Sequence, residues 1–162
     1  MFTRRKEKHL FNFQVYSPMD EDRKTRYLEK LNRLKDYHDL LEKWLNEDDI
    51  ETLVQEENYR NLFSTYHSGQ LAIEVVSDIS AMIVKDIGLV IKDDYKNFDL
   101  LKEKKIISSG IHASLKELNG LRNRLVHDYN GLVDKIAWNT LVRLLDTFTE
   151  FHDVVESWLN NL

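Results

Sequence analysis

Four side chains with distinct chemical abilities stand together in the segment RNRLVHDY, which covers residues 122–129. They are Arg122, Asn123, His127 and Tyr129. Arginine binds phosphate through a planar fork of N–H donors, and histidine exchanges a proton near neutral pH. The tyrosine adds a phenolic oxygen that can act as a nucleophile. Together these residue types indicate chemistry at a phosphate group.

The four side chains diverge if the segment is helical, because successive residues are about 100° apart. Asn123 and His127 then share a face, so that the amide can orient the imidazole, and Arg122 aligns with Tyr129 two turns later. Arg122 and His127 point roughly 140° apart and cannot easily meet at one phosphate. Either the helix loosens near His127, or a second copy of the chain completes the site. The second alternative predicts a homodimer.

Cleavage of RNA by attack of the ribose 2′-hydroxyl needs a proton acceptor, a proton donor and a cation for the charge that builds on the phosphate. Two copies of His127 and Arg122 across a two-fold axis would supply all three, without a metal ion. A last helix with Trp138 and Trp158 offers more apolar surface than a lone bundle needs. A structural interpretation stays open, in which the arginine is solvated, His127 caps helix carbonyls and Tyr129 packs with its hydroxyl bonded.

Composition favours one all-α domain. The chain has 162 residues, 42% of them hydrophobic, with a single Pro and five Gly, which suits long helices better than a turn-rich β fold. The absence of cysteine excludes disulfides, thiolate metal sites and a cysteine nucleophile. No apolar run approaches the roughly 18 residues of a membrane span, and the N-terminus lacks a signal-peptide pattern. We therefore expect a cytoplasmic protein with no membrane partner.

The net charge of −5 disfavours a protein that binds nucleic acid through a general positive field, and DNA is not an expected partner. Any RNA-binding surface must be a local patch, unless the basic residues are simply solvated. The candidates are an N-terminal run and an internal cluster, to which Arg122 and Arg124 can add. The run contains Arg4, Arg5, Lys6 and Lys8, and the cluster contains Lys102, Lys104 and Lys105.

Hydrophobic periodicity predicts an up-and-down bundle of about five helices over residues 17–162, after an N-terminal arm at residues 1–16. Capping and stop signals set the boundaries. The first predicted helix runs from a cap at Ser17 to about Asn46, and the second from Ile50 to Gly88 with a kink or split near Asn58. A short third helix runs from Asp94 to Lys105. The last two run from a cap at Ser108-Ser109 to the Asn130-Gly131 turn, and from a cap at Asp134 to Leu162.

The second predicted helix carries apolar rows over most of its circumference, which is typical of the centre of a bundle. Between the rows lies a polar stripe of Gln70, Glu74 and Asp78, spaced four residues apart. Such carboxylates can serve acid–base or metal-dependent catalysis, but they more often form a solvated edge or hydrogen-bond to a neighbouring helix. The remaining histidines lack a metal-ligand spacing such as H-E-x-x-H; they are His9, His38, His67, His112 and His152.

The arrangement Arg, four residues, His, one residue, Tyr resembles the signature of the HepT-type HEPN ribonuclease toxins, with Arg122, His127 and Tyr129 in the three places. The usual Asn follows the Arg, and a second Arg stands two residues further on. The stretches LAIEVVSDIS and DDYKNFDLL are similar to the family's second and third helices, and the resemblance spans about residues 20–160. Two features depart from it: the negative Asp128, and the N-terminal arm.

The resemblance implies a HEPN-like, homodimeric and metal-independent endoribonuclease that acts on tRNA or mRNA and needs no cofactor. It would be the toxin of a two-gene module whose antitoxin is a minimal nucleotidyltransferase. By the same resemblance Arg122 and His127 are catalytic, Asn123 supports them, and Tyr129 is the residue that the partner adenylylates with ATP. The alternative is a non-catalytic nucleotide-binding or adaptor subunit that only holds the nucleotidyltransferase.

Overall fold

The computed structural model describes residues 19–127 and 135–162. Within these ranges all regular structure is helical, which confirms the all-α prediction, and none of these helices is long and apolar enough to span a membrane. Seven helices are present where about five were predicted, because two predicted helices are each divided in two. They are α1 Glu21–Glu47, α2 Ile50–Gln55, α3 Tyr59–Asp86, α4 Asp94–Glu103, α5 Ser109–His127, α6 Lys135–Leu144 and α7 Asp146–Asn160.

Most of these helices have a short polar residue at the N-cap, whose side chain accepts a backbone N–H of the first turn. Asp49 caps α2 and Asp93 caps α4. The helix α1 begins later than the predicted Ser17 cap, because Asp20 lies in extended backbone and its carboxylate accepts the N–H of Arg23 at 2.7 Å. Ser17 and the predicted Asp134 cap fall outside the described residues.

Three helices end at a residue with positive φ, a backbone conformation that usually favours glycine. Gly88 has φ 78° after α3, where the sequence predicts a stop. Glu57 after α2 and Lys105 after α4 adopt φ 53° and 58°. In each case the next N–H bonds back to a carbonyl five residues earlier, at 2.8 to 3.0 Å. These bonds satisfy helix-end carbonyls and offset the strain of a non-glycine residue.

The helix α3 is the centre of the bundle, as its apolar rows predict, because it contacts each of the other six described helices. It packs closely against α6 at Gly69, where an added Cβ would stand 2.8 Å from Cδ2 of Leu141. Glycine therefore permits this contact. The helix α5, which carries Arg122, also packs against α3. The central helix therefore helps to position this arginine.

The two tryptophans proposed as surplus surface are used inside the protomer, which corrects that part of the dimer argument. Trp138 is buried and meets the Tyr66 ring edge-on, with centroids 6.5 Å apart. Trp158 meets the ring of Tyr27 in the same manner at 5.8 Å. Periodicity along α6 and α7 cannot distinguish a ring that faces the protomer's own core from one that faces a second copy.

A polar contact between α1 and α3 supports the bundle. The fully buried Tyr27 donates its hydroxyl to Oδ2 of Asp86 at 2.7 Å, and Arg23 Nε donates to the same oxygen at 2.9 Å. Burial, together with the neighbouring carboxylate, raises the pKa of Tyr27 well above that of a free phenol. The tyrosine therefore stays a neutral donor throughout the ordinary pH range.

We expect Asp86→Ala to lower the free energy of unfolding by about 1–3 kcal/mol, because it leaves the buried Tyr27 hydroxyl without its acceptor. Urea denaturation measures this loss. Asp39→Ala is the matched control, since the exposed Asp39 pairs with Lys35 within α1 and crosses to no other helix. Equal stability of the parental protein and the Asp86→Ala variant would show that this contact contributes nothing.

Candidate active site

The helix α5 carries most of the predicted site. Ser108 begins it by accepting the N–H of Ile111 on its hydroxyl oxygen at 3.1 Å. One face is buried against the neighbouring helices through Ile111, Leu115, Leu118, Asn119 and Leu121. In the last turns, from Arg122 to His127, every side chain is partly or fully exposed, although Leu125 still packs against the core.

Arg122 is held on two sides of its guanidinium group. Its Nη1 donates to Oδ1 of Asn123 at 3.3 Å, and its Nε lies 3.7 Å from Oε1 of Glu74 on α3. The Nε atom is itself buried and makes no hydrogen bond, yet about a third of the side chain is exposed. The inner edge of the group thus faces protein, and part of the outer edge is open to a ligand.

The predicted polar stripe on α3 divides between two neighbours. Gln70 Nε2 donates to Glu74 Oε1 at 3.0 Å, and this carboxylate faces Arg122 on α5. Asp78, one turn further, pairs with Lys30 of α1 at 2.7 Å. Asp78 thus forms the bond to a neighbouring helix that was one alternative for the stripe, whereas Glu74 faces Arg122 without a hydrogen bond to it.

His127 is the last residue of α5 and is exposed. Because the helix continues through His127, the loosening considered from the sequence does not occur up to this residue, and the divergence of about 140° from Arg122 remains. Asn123 bonds to Arg122 rather than to the imidazole in the part of the chain that is described. Tyr129 and Asp128 lie outside the described residues.

The predicted basic cluster is separated from Arg122 along the bundle. Lys102, Lys104 and Lys105 are exposed at the end of α4, next to the start of α5. Ser109 and Arg122 are separated by thirteen residues of helix, or about 20 Å at 1.5 Å per residue. The fourth candidate RNA-binding residue, Arg124, is exposed in the last turns of α5. The structure therefore brings Arg124, but not the lysines, to the end of α5 that carries Arg122 and His127.

A histidine–carboxylate contact joins α4, which carries the lysines, to α5, which carries Arg122. Nε2 of His112 on α5 lies 2.6 Å from Oδ1 of Asp99 on α4. This hydrogen bond, with the charge of Lys116, holds the pKa of Asp99 below its ordinary value. The contact fixes α4 against α5 and has no link to the Arg122 surroundings.

Two groups of potential metal ligands lie on other helices and were missed from the sequence. Both have the spacing H-D-x-x-E, one at residues 38–42 of α1 and the other at residues 152–156 of α7. Within each group the ligand atoms lie within 4.8 Å of one another. Comparing these two stretches would have revealed them. Each histidine Nδ1 lies beside its own neighbouring aspartate, at 3.3 and 3.2 Å. The aspartates and glutamates are exposed, as such groups often are without an ion.

Sequence comparison places this arrangement among known proteins. The profile of the family described as Ribonuclease HepT-like matches residues 27–155. Two proteins of Archaeoglobus fulgidus, both named as candidate RNases, are 40% identical over 91 residues and 37% identical over 110 residues. The alignments cover 56% and 68% of this chain, and 69% and 76% of the relatives.

A structural likeness extends over most of the bundle. The tri-AMPylated HEPN toxin of Shewanella oneidensis, solved in complex with MNT antitoxin, superposes with a TM-score of 0.70. The match covers 86% of this chain and 99% of that toxin, at 23% sequence identity. The likeness establishes a shared fold, in agreement with the predicted HEPN-like bundle.

Proposed function

Because this chain belongs to the HepT-like ribonuclease family, we propose that it is a metal-independent endoribonuclease and the toxin of a two-component module. The observation that carries the proposal is the Arg122 guanidinium, held at its inner edge by Glu74 and Asn123 and partly open to solvent. A cation held in this way can bind a phosphate. The exposed imidazole of His127 stands five residues further on.

In the proposed reaction the ribose 2′-hydroxyl attacks the adjacent phosphate. A His127 imidazole accepts the hydroxyl proton, and a protonated imidazole donates one to the leaving 5′-oxygen. Arg122 stabilises the negative charge that develops on the phosphate oxygens. The products are a cyclic phosphate and a free 5′-hydroxyl, and every group required comes from protein side chains.

The chemistry is tested with a single-stranded RNA and an excess of chelator. We expect the parental protein to cleave the RNA at the same rate with and without chelator, and to leave a 2′,3′-cyclic phosphate that mass spectrometry identifies. Loss of cleavage on chelation would overturn the metal-independent mechanism. A protein that holds a nucleotidyltransferase but never cleaves RNA would instead be the adaptor considered from the sequence.

We further propose that the active form is a homodimer. The divergence of Arg122 and His127 on a regular helix supports a site completed by a second copy. Apolar side chains on α3 and α6 are exposed and available for such a contact, with 48% of Phe63 and 64% of Ile136 accessible. Phe63 shares the face of α3 that carries Gln70 and Glu74, about two and three turns further along the helix.

Light scattering at micromolar concentration is expected to report twice the 19.3 kDa mass of one chain. The same measurement on Asp39→Ala provides a matched control, because this substitution removes only a carboxylate paired within α1. A 19.3 kDa particle that cleaves RNA would contradict the composite site. In that case one protomer would supply all the catalytic groups.

The proposed partner is a minimal nucleotidyltransferase that silences the toxin by transferring AMP to Tyr129. The proposal is supported by the HEPN toxin of similar fold, which is tri-AMPylated and bound to MNT antitoxin. It is also supported by the position of Tyr129 two residues after His127. An AMP group there would add a negative charge close to the arginine and the histidine, in competition with RNA.

A further inference from the structure

We propose that Glu74 is a positioning residue that holds the Arg122 guanidinium in the orientation needed for a phosphate. This inference rests on the proposed ribonuclease function. Glu74 belongs to the central helix α3, whereas Arg122 belongs to α5, and the two residues stand 48 positions apart in the chain. Packing of α3 against α5 brings Oε1 of Glu74 to 3.7 Å from Nε of Arg122.

The contact constrains one part of the guanidinium and leaves another part open. Nε faces Glu74, and Nη1 donates to Oδ1 of Asn123 at 3.3 Å. For Nη2, no hydrogen-bond partner occurs among residues 19–127 and 135–162. A planar guanidinium that is bonded at Nη1 and faces a carboxylate at Nε presents its remaining N–H donors in a defined plane. The open donors are those that a phosphate would engage.

Glu74 is itself held in place, as a positioning residue must be. Gln70, one turn earlier on α3, donates its side-chain amide to Oε1 of Glu74 at 3.0 Å. A chain of contacts thus runs from Gln70 through Glu74 and Arg122 to Asn123. All four residues are only partly exposed.

A general stabilising role explains the Glu74 contact less well. Ion pairs as exposed as this one contribute little to folding, and the 3.7 Å separation exceeds a hydrogen-bond length. A carboxylate beside a phosphate site also repels the substrate, which would be a disadvantage without a compensating role. Orientation of the arginine provides that role, because misplacement of a catalytic group by about 1 Å can reduce a rate by about 10²-fold.

The test compares Glu74→Gln with a matched control, Asp78→Asn. Both substitutions remove one negative charge from the same face of α3, but Asp78 pairs with Lys30 and not with Arg122. On a single-stranded RNA that the parental protein cleaves, we expect Glu74→Gln to lower kcat by about 10- to 100-fold. KM should stay the same or fall, since a charge that repels RNA is gone. Asp78→Asn should behave like the parental protein, and both variants should keep its melting temperature.

The same substitution in an Arg122→Lys protein separates a positioning role of Glu74 from a direct effect of Glu74 on the reaction. In Arg122→Lys the planar fork is absent, so Glu74→Gln should change the remaining rate by less than about twofold. An equal cost of Glu74→Gln in the parental and Arg122→Lys proteins would overturn the proposal. Parental kinetics in the Glu74→Gln variant would overturn it as well, since the arginine would then need no carboxylate.

A readout without catalysis keeps this inference separate from the ribonuclease proposal. Heteronuclear NMR follows the Nε–H signal of Arg122, which is assigned by its loss in Arg122→Lys. We expect Glu74→Gln to move this signal toward that of a solvent-exposed arginine, and Asp78→Asn to leave it in place. If the parental protein cleaves no RNA, the proposed function fails, and an unmoved signal in Glu74→Gln is then the result that rejects the role of Glu74.

Discussion

The His127→Ala variant is expected to cleave RNA about 10²–10⁴-fold more slowly than the parental protein, the usual contribution of a proton-transferring group. Alanine cannot accept the 2′-hydroxyl proton or return one to the leaving oxygen. The fold should be unaffected, because His127 is exposed at the end of α5. Initial rates on a fluorescent single-stranded RNA, with melting temperature as a check on folding, provide the measurement.

Arg122→Ala should reduce cleavage to a similar extent, because it removes the cation that faces the transition-state charge. An exposed arginine on another helix serves as a control, Arg33 on α1. Arg33→Ala should retain the parental rate. A His127→Ala protein that cleaves at the parental rate would remove the histidine from the mechanism, whatever the arginine does.

The Tyr129→Phe variant is expected to keep RNase activity and to escape silencing by the nucleotidyltransferase. A phenol retains its proton at neutral pH, so the partner enzyme must supply the base and the metal-bound ATP. The phenolic oxygen then attacks the α-phosphorus, the bond to the β-phosphate oxygen breaks, and pyrophosphate leaves. Phenylalanine keeps the ring but has no acceptor oxygen, so no AMP can be attached.

Intact mass after incubation with partner, ATP and Mg²⁺ decides the question. The parental protein should gain one or more AMP groups and lose its RNase activity, whereas Tyr129→Phe should gain none and stay active. Tyr37→Phe is the control, since Tyr37 is a partly exposed tyrosine on α1. Equal AMP incorporation into the parental and Tyr129→Phe proteins would place the acceptor at another residue.

Local signals in the sequence predicted most helix boundaries correctly. Asp49, Asp93 and Gly88 act within a few residues of their own position, so their effects are visible in the chain itself. The division between α6 and α7 was not predicted. Leu145, which separates them, has helical backbone angles of φ −55° and ψ −45° and makes no side-chain cap, so no capping residue or helix breaker marks this division in the sequence.

The candidate site was predicted only in part, because the sequence does not show which helices pack together. Residue types and spacing identified Arg122 and His127, and the period of α3 identified the stripe that contains Glu74. Periodicity shows which residues share a face, but not which helix that face meets. The contacts of Arg122 with Glu74 and of Asp78 with Lys30 therefore became visible only when the order of packing was known.

The central position of α3 bears on when the molecule becomes complete during synthesis. This helix contacts elements made before it and elements made after it, including α6 and α7 at the end of the chain. A ribosome finishes α5, and with it Arg122, before it has made α6, which covers the Tyr66 and Gly69 side of α3. The helix that carries Arg122 thus has an incomplete scaffold until α6 and α7 have been made.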